Sequence, residues 1–245
     1  MTFTVGSLFS GIGGLDLGLE RAGHKVIWQS EIDPFACKVL KKHWPEVVNH
    51  GDIKQIDWAT VEPVDIICGG YPCQPFSLAG QRKGTDDHRH LWPWVRNAIS
   101  ALSPSYAILE NVRGHLSMGG TQVIGDLTDI GYDAEWRVVS AAGVGAPHRR
   151  ERTIIVAYPH NSELGDIDEC GIDEGTHGER RKVFLANSPS GSTSRTDSHW
   201  ISEPGVDRVA NGIPNRVDRL RGLGNAVVPQ VAEYIGRLIT TSSVS

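Results

Sequence analysis

The chain is predicted to fold as an α/β domain whose largely parallel sheet carries helices on both faces. Two observations predict it. Short apolar runs recur and end in glycine or a polar cluster, and segments with helical apolar spacing lie between them. Thr2 to Phe9 is apolar and β-favouring. It runs into Ser10-Gly11-Ile12-Gly13-Gly14, after which Leu15, Leu17, Leu19 and Ala22 support a helix, so the start reads strand, glycine turn, helix. Lys25 to Ser30 resembles a second strand, and Pro34 opens a helix carrying Phe35, Val39 and Leu40. Val64 to Cys68 is a buried strand ending in Gly69-Gly70, Leu91 to Leu102 is helical, and Tyr106 to Leu109 is a strand ending at Glu110-Asn111. Gln122 to Ile130 continues as helix, with strands at Glu135 to Ser140 and Thr153 to Ala157.

After Tyr158-Pro159 the periodicity stops. Asn187 to Ser202 is rich in Ser, Thr, Asn and Gly and reads as loop. Pattern returns at Val227 to Ile239, where Val228, Val231, Ala232, Ile235, Leu238 and Ile239 form one apolar helical face. The expected layout is an α/β body over 1–158, a small irregular region over 159–205, and a segment over 206–245 that returns to the body.

With 245 residues the chain can bury a sizeable core without disulfides or metal. Hydrophobic residues make up 39% and the mean hydropathy is -0.24, values of an ordinary folded chain rather than a disordered or fibrous one. No uncharged apolar stretch approaches the roughly 18 residues of a membrane span, and Met1 to Ser10 lacks a basic start, so a cytoplasmic location without membrane contact is expected. Cys37, Cys68, Cys73 and Cys170 form no paired C-x-x-C elements, which argues against a disulfide framework and a four-cysteine zinc site; no metal is expected. The net charge of -5 excludes binding of nucleic acid by bulk positive charge. It does not exclude a basic face. Residues 160–178 carry six acidic and no Lys or Arg residues, whereas 179–221 carry eight basic against five acidic ones.

Gly11-x-Gly13-Gly14 after a strand, with Glu31 twenty positions on at the end of the next strand, suits a nucleotide pocket. The glycines admit a ligand to the backbone and the acid takes ribose hydroxyls. Alone, the pattern also fits a tight turn with a solvated acid, and Asp52 in Gly51-Asp52-Ile53 fits either an adenine contact or a plain turn. The spacing is not G-x-G-x-x-G, which disfavours NAD. Gly69-Gly70-Tyr71-Pro72-Cys73-Gln74-Pro75 is the sharpest signal: a proline-bracketed Cys just after a buried strand is placed for nucleophilic work, although Cys is also a common buried hydrophobe. Glu110 follows another buried strand and should face the same rim, where a desolvated carboxyl can hold a proton; it also fits a helix N-terminal acid. Arg149, Arg150 and Arg152 precede the strand from Thr153 and suit a base carbonyl or phosphates, or an ordinary surface.

In this order the elements resemble the DNA cytosine-5 methyltransferases, over about Val5 to Ile239 with a thin match between 159 and 205. Leu8-Phe9-Ser10-Gly11-Ile12-Gly13-Gly14 resembles the methyl-donor motif, and Glu31-x-Asp33 and Gly51-Asp52-Ile53 the next two. Pro72-Cys73-Gln74 is similar to the nucleophile motif, Glu110-Asn111-Val112 to the catalytic ENV, Arg150-Glu151-Arg152 to R-x-R, and Gly224-Asn225-Ala226-Val227 to the motif completing the donor pocket. Two departures stand out: His148 occupies a position commonly Gln, and Ile32 one where an aromatic often packs on adenine.

The resemblance implies a Rossmann-like S-adenosylmethionine-dependent methyltransferase sheet and a small target-recognition region. It implies a reaction at C5 of cytosine in a specific double-stranded DNA sequence. By the same resemblance Cys73 would be the nucleophile, Glu110 would hold or protonate N3, and Arg152, with Arg150 supporting, would hold O2. S-adenosylmethionine would be bound by Phe9, Ser10, Gly11, Ile12, Gly13, Gly14, Glu31, Ile32, Asp52, Ile53, Pro72, Asn225 and Ala226. Because C6 is shielded in a duplex, the base should be flipped out. Gln81, Arg82 and Lys83, in a loop that closes on DNA or in a plain solvated turn, and Arg180, Arg181 and Arg195 in the recognition region, are the expected DNA contacts. The chain is expected to act as a monomer, in a bacterium or in the host of a phage, with a cognate restriction endonuclease as the one protein partner the resemblance suggests. The alternatives are the same chemistry on RNA, or an inactive DNA-binding regulatory homologue.

Overall fold

Every strand of the described residues joins one sheet in the computed structural model, which describes residues 1–72, 91–114, 119–160, 162 and 216–242. The strands are β1 (Thr4–Leu8), β2 (Lys25–Ser30), β3 (Val48–Asn49), β4 (Ile66–Gly69), β5 (Tyr106–Val112), β6 (Tyr132–Ser140) and β7 (Glu151–Pro159), in spatial order β3-β2-β1-β4-β5-β7-β6. The helices are α1 (Gly14–Arg21), α2 (Pro34–His43), α3 (Trp92–Leu102), α4 (Gly120–Asp129), α5 (Arg216–Asn225) and α6 (Pro229–Ser242).

From β3 to β5 the pairing is parallel, as expected. The sheet as a whole is mixed, because β7 inserts antiparallel between β5 and β6. The short link from β6 to β7, a 3-10 turn at Ala141–Val144 followed by an irregular stretch, is too short for a crossover and reverses the chain instead. The insertion also lengthens β5. Glu110, Asn111 and Val112 pair with Ile154, Thr153 and Arg152, so the acid expected just beyond a strand lies within one.

Strand residues alternate between two buried layers. Val5, Ile66, Cys68, Ile108, Ile154 and Val156 face α1 and α6, while Ile67, Ala107, Leu109, Ile155 and Ala157 face α3 and α4. The apolar face read from Val227 onward is α6. Val231, Ala232, Ile235 and Ile239 are buried there, and the helix seats on α1 at small residues. A Cβ on Gly18 would fall 2.4 Å from that of Ala232, and one on Gly236 2.7 Å from that of Ala22. Helix α5 has no counterpart in the apolar pattern, since Arg, Asp and Gly dominate it. Among the described residues no helix is long and apolar enough to cross a membrane. The 159–205 region lies almost entirely outside the described residues.

Beneath the glycine turn Asp16 is fully buried, with Gln29 Nε2 donating to it at 3.3 Å. Burial pushes its carboxyl from 3.8 up to about 6, against the hydrogen bond from Gln29, which favours the anion. The folded protein therefore holds this proton more tightly than the unfolded chain. Its contribution to stability is full below the unfolded value and lost as pH rises through about 6, a change on the order of 3 kcal/mol. Asp16→Asn is expected to flatten the fall in denaturant-measured stability between these two pH values; an unchanged slope would assign it to other groups.

Candidate active site

Because β1, β2, β4 and β5 are parallel and β7 runs against them, four strand ends and the start of β7 meet at one edge. A cavity of about 560 Å³ opens there, within the size range of small-ligand sites. Its wall holds Phe9, Ser10, Gly11, Ile12 and Gly14 after β1, Glu31 and Ile32 after β2, and Asp52 and Ile53. It also holds Pro72 after β4, Glu110 on β5, Arg152 on β7, and Asn225 and Ala226 where α5 ends. The structure thus gathers residues as far apart in sequence as Phe9 and Val227 into one wall.

Gly13 departs from the expectation, since it is absent from the wall. Its φ of 82° and missing side chain admit the ring of Trp44, which a Cβ would approach to 2.4 Å, so it shapes the turn from behind. Gly14 has a different role: a Cβ there would lie 2.5 Å from the carbonyl oxygen of Val227, so the glycine admits the returning chain.

Glu31 is fixed by the backbone. Its Oε2 accepts from Gly11 N at 2.8 Å, and Oε1 accepts from Ile32 N at 2.8 Å and Asp33 N at 2.7 Å. Asn49, which the sequence reading passed over, links two loops: its Oδ1 accepts from the amides of Glu31 and Gly51, and its Nδ2 donates to Glu31 O. Asp33 caps α2, accepting from Phe35 N and Ala36 N ahead of Pro34, and pairs with Arg221 of α5. Ile32 is exposed, and Phe35 supplies an aromatic ring to the same wall. The Asp33–Pro34 start was readable as a cap; Asn49 and Arg221 act across space and left no local signal.

At the other end of the cavity Glu110 is 7% exposed, with Oε1 2.7 Å from Arg152 Nε. Burial raises its carboxyl above the ordinary value, while the charges of Arg152 and Arg150 and the hydrogen bond from Arg152 hold it back. A Cβ on Gly70 would lie 2.8 Å from Glu110 Oε2, and Asn111 Nδ2 donates to Tyr71 O at 3.2 Å. Both residues therefore touch the loop that leads into Cys73. Cys73 itself, and Gln81, Arg82, Lys83, Arg180, Arg181 and Arg195, lie outside the described residues.

Arg150 is placed differently from Arg152. Its guanidinium is turned to the carbonyls of Gly224 and Ala226 and is absent from the cavity wall. Of the R-x-R pair, Arg152 alone meets the carboxyl.

A glycine-lined cavity with a backbone-fixed acid and apolar walls, at the edge of a sheet ordered 3-2-1-4-5-7-6, defines a Rossmann-like methyltransferase fold that takes S-adenosylmethionine. The chain belongs to the C-5 cytosine-specific DNA methylase family, whose model it matches over residues 3–190. Type II methyltransferase M.Eco47II of Escherichia coli is 42% identical over 179 residues, 70% of this chain and 42% of its own length. Type II methyltransferase M.BsuFI of Bacillus subtilis is 32% identical over 218 residues, 86% of this chain and 52% of its own length. The chain thus spans about half, or less, of these relatives. The solved Entamoeba histolytica methyltransferase EhMeth shares the fold, with a TM-score of 0.56, 23% identity, and coverage of 73% of this chain and 58% of its own.

Proposed function

We propose that the protein methylates C5 of cytosine within a specific double-stranded DNA sequence, through a covalent adduct of Cys73 with a flipped-out base. The observation that carries this reading is Glu110, a buried carboxyl held by Arg152 and lying against Gly70, three residues before Cys73. The cavity suits S-adenosylmethionine: Gly11 leaves room for it, the Glu31 carboxylate would take ribose hydroxyls, and Ile12, Ile32, Phe35 and Ile53 would give apolar walls for adenine. Asn225 and Ala226 complete that wall from the returning segment. When bound, this cofactor supplies a sulfonium methyl group.

C5 of cytosine is a poor nucleophile in the free base. The Cys73 thiolate adds to C6, and the electron pair of the C5–C6 bond is drawn toward N3, where Glu110 supplies a proton. Arg152 holds O2 and offsets the charge pushed onto the ring. C5, now an enamine carbon, would take the methyl group as the sulfur–methyl bond breaks and the donor leaves as a neutral thioether. Loss of the C5 proton to a base then expels the thiolate and restores the ring. The fixed Glu110–Arg152 pair is suited to this because it needs no rearrangement as charge appears.

The segment over 159–205 is proposed as the target-recognition region, with Arg180, Arg181 and Arg195 as DNA contacts and Gln81, Arg82 and Lys83 in a loop that closes over the flipped base. The body over 1–158 and the segment over 206–245 share the donor site. The protein is proposed to act as a monomer in a cytoplasm, a restriction endonuclease being its one expected protein partner. Bisulfite sequencing of plasmid DNA from expressing cells tests the reading. Unconverted cytosines within one recurring sequence are expected. Unmodified DNA together with 5-methylcytosine in RNA would redirect the chemistry to RNA, and no modification in either would leave a binding protein.

A further inference from the structure

Arg150 Nη2 donates to two carbonyls, Gly224 O and Ala226 O, both at 2.6 Å and on either side of Asn225. Some 75 residues separate the partners in sequence, and the contact joins the edge that carries Glu110 and Arg152 to the segment that closes the donor cavity. From the other side the same segment rests on the glycine turn, where Gly14 lies against Val227. Residues 224–227 are therefore held between a cation and a bare glycine backbone. Asn225, between the two clamped carbonyls, is exposed to the cavity it lines.

Arg150's backbone supports the assignment independently. Its φ of 26° lies in the left-handed region that costs a non-glycine residue of order 1–3 kcal/mol. Ala141 N donates to Arg149 O at 2.8 Å, pinning the chain there. The position thus holds a long cation in a conformation glycine would adopt more readily, and while its charge also bears on Glu110, its hydrogen bonds go to the pair of carbonyls.

We infer that Arg150 is a positioning residue for the methyl donor, which sets Asn225 in the cavity by clamping the carbonyls that flank it. This rests on reading the cavity as the S-adenosylmethionine site. A charge-assisted hydrogen bond is among the stronger of its kind, and here one nitrogen makes two. Without them the 224–226 turn samples other arrangements, and donor affinity falls by the fraction of time the turn is misplaced.

The test is calorimetric binding of S-adenosylmethionine to the full chain, without DNA. Arg150→Gly removes the guanidinium and relieves the backbone, so the ligand-free melting temperature should stay near wild type. Should that variant fail to fold, Arg150→Met, which keeps the stem and no donor, takes its place. About tenfold weaker binding is expected for it and for Asn225→Ala. The double variant should bind no more weakly than the weaker single one, because Arg150 acts through the placement of Asn225. In turnover the Arg150 variant should raise KM for the donor more than it lowers kcat. Wild-type affinity in the Arg150 variant, or additive losses in the double variant, would overturn the inference while leaving the cavity's assignment in place. No binding by the wild type would remove both.

Discussion

Glu110→Gln is expected to lower the single-turnover rate of methyl transfer by about 10²–10⁴-fold while leaving S-adenosylmethionine affinity near that of the wild type. Glutamine matches the carboxyl in size, so the contact with Gly70 and the neighbouring Asn111–Tyr71 bond should survive. What it removes is a transferable proton. Burial raises the Glu110 carboxyl, with Arg152 and Arg150 opposing, so more of it is protonated near neutrality than a solvated Glu would be. That proton is needed only when addition at C6 pushes electrons toward N3, so the loss should appear in kcat rather than in binding. The advantage conferred by Glu110 should shrink as pH rises, since the neutral carboxyl is depleted. A Glu110→Gln protein that turned over at near the wild-type rate would leave the buried pair with Arg152 as a purely structural feature.

Cys73→Ala is expected to abolish transfer, a fall of at least about 10⁴-fold out of the 10⁶ or more that enzymes commonly provide. The other two cysteines among the described residues fit the task poorly. Cys68 is buried in β4, where burial and the nearby Asp16 push its thiol well above the ordinary value. Cys37 donates to Glu31 O and accepts from Asn49, and burial with the Glu31 charge raises its thiol too. Neither is inclined to be the thiolate that adds to C6. Alanine at either position should leave the chemistry in place in protein that stays folded. The assignment to Cys73 rests on its proline-bracketed loop after β4 and on Glu110 and Asn111, which touch that loop from β5.

Much of this arrangement is legible in the sequence because parallel strands deliver their ends to one edge. Once Thr2–Phe9, Lys25–Ser30, Val64–Cys68 and Tyr106–Leu109 are read as strands, the residues just beyond them must meet there. Glycine, acid, cysteine and carboxyl are local signals at those ends. The antiparallel β7 is less legible, because an apolar run of Ile, Val and Ala reads alike in either direction. Pairing with it carried β5 through Glu110 to Val112, which no local preference marks. Helix α5 was hidden for another reason: Arg, Asp and Gly dominate it, and its Val217 and Leu223 are exposed, so little in its pattern marks a buried face. Gly13 and Arg150 show a third kind of gap. Their neighbours are Trp44 and the 224–226 carbonyls, and only folding brings these together.

The most direct test of the central claim, methyl transfer through a Cys73 adduct, uses duplex DNA with 5-fluorocytosine at the site that bisulfite sequencing identifies. Fluorine cannot leave as the C5 proton does, so the thiolate is not expelled once the methyl group has been taken. In the presence of S-adenosylmethionine the wild type is expected to form a denaturation-resistant protein–DNA complex, and peptide mass mapping is expected to place the nucleotide on the peptide containing Cys73. An adduct on any other residue, or an equal yield of complex from the Cys73→Ala protein, would contradict it.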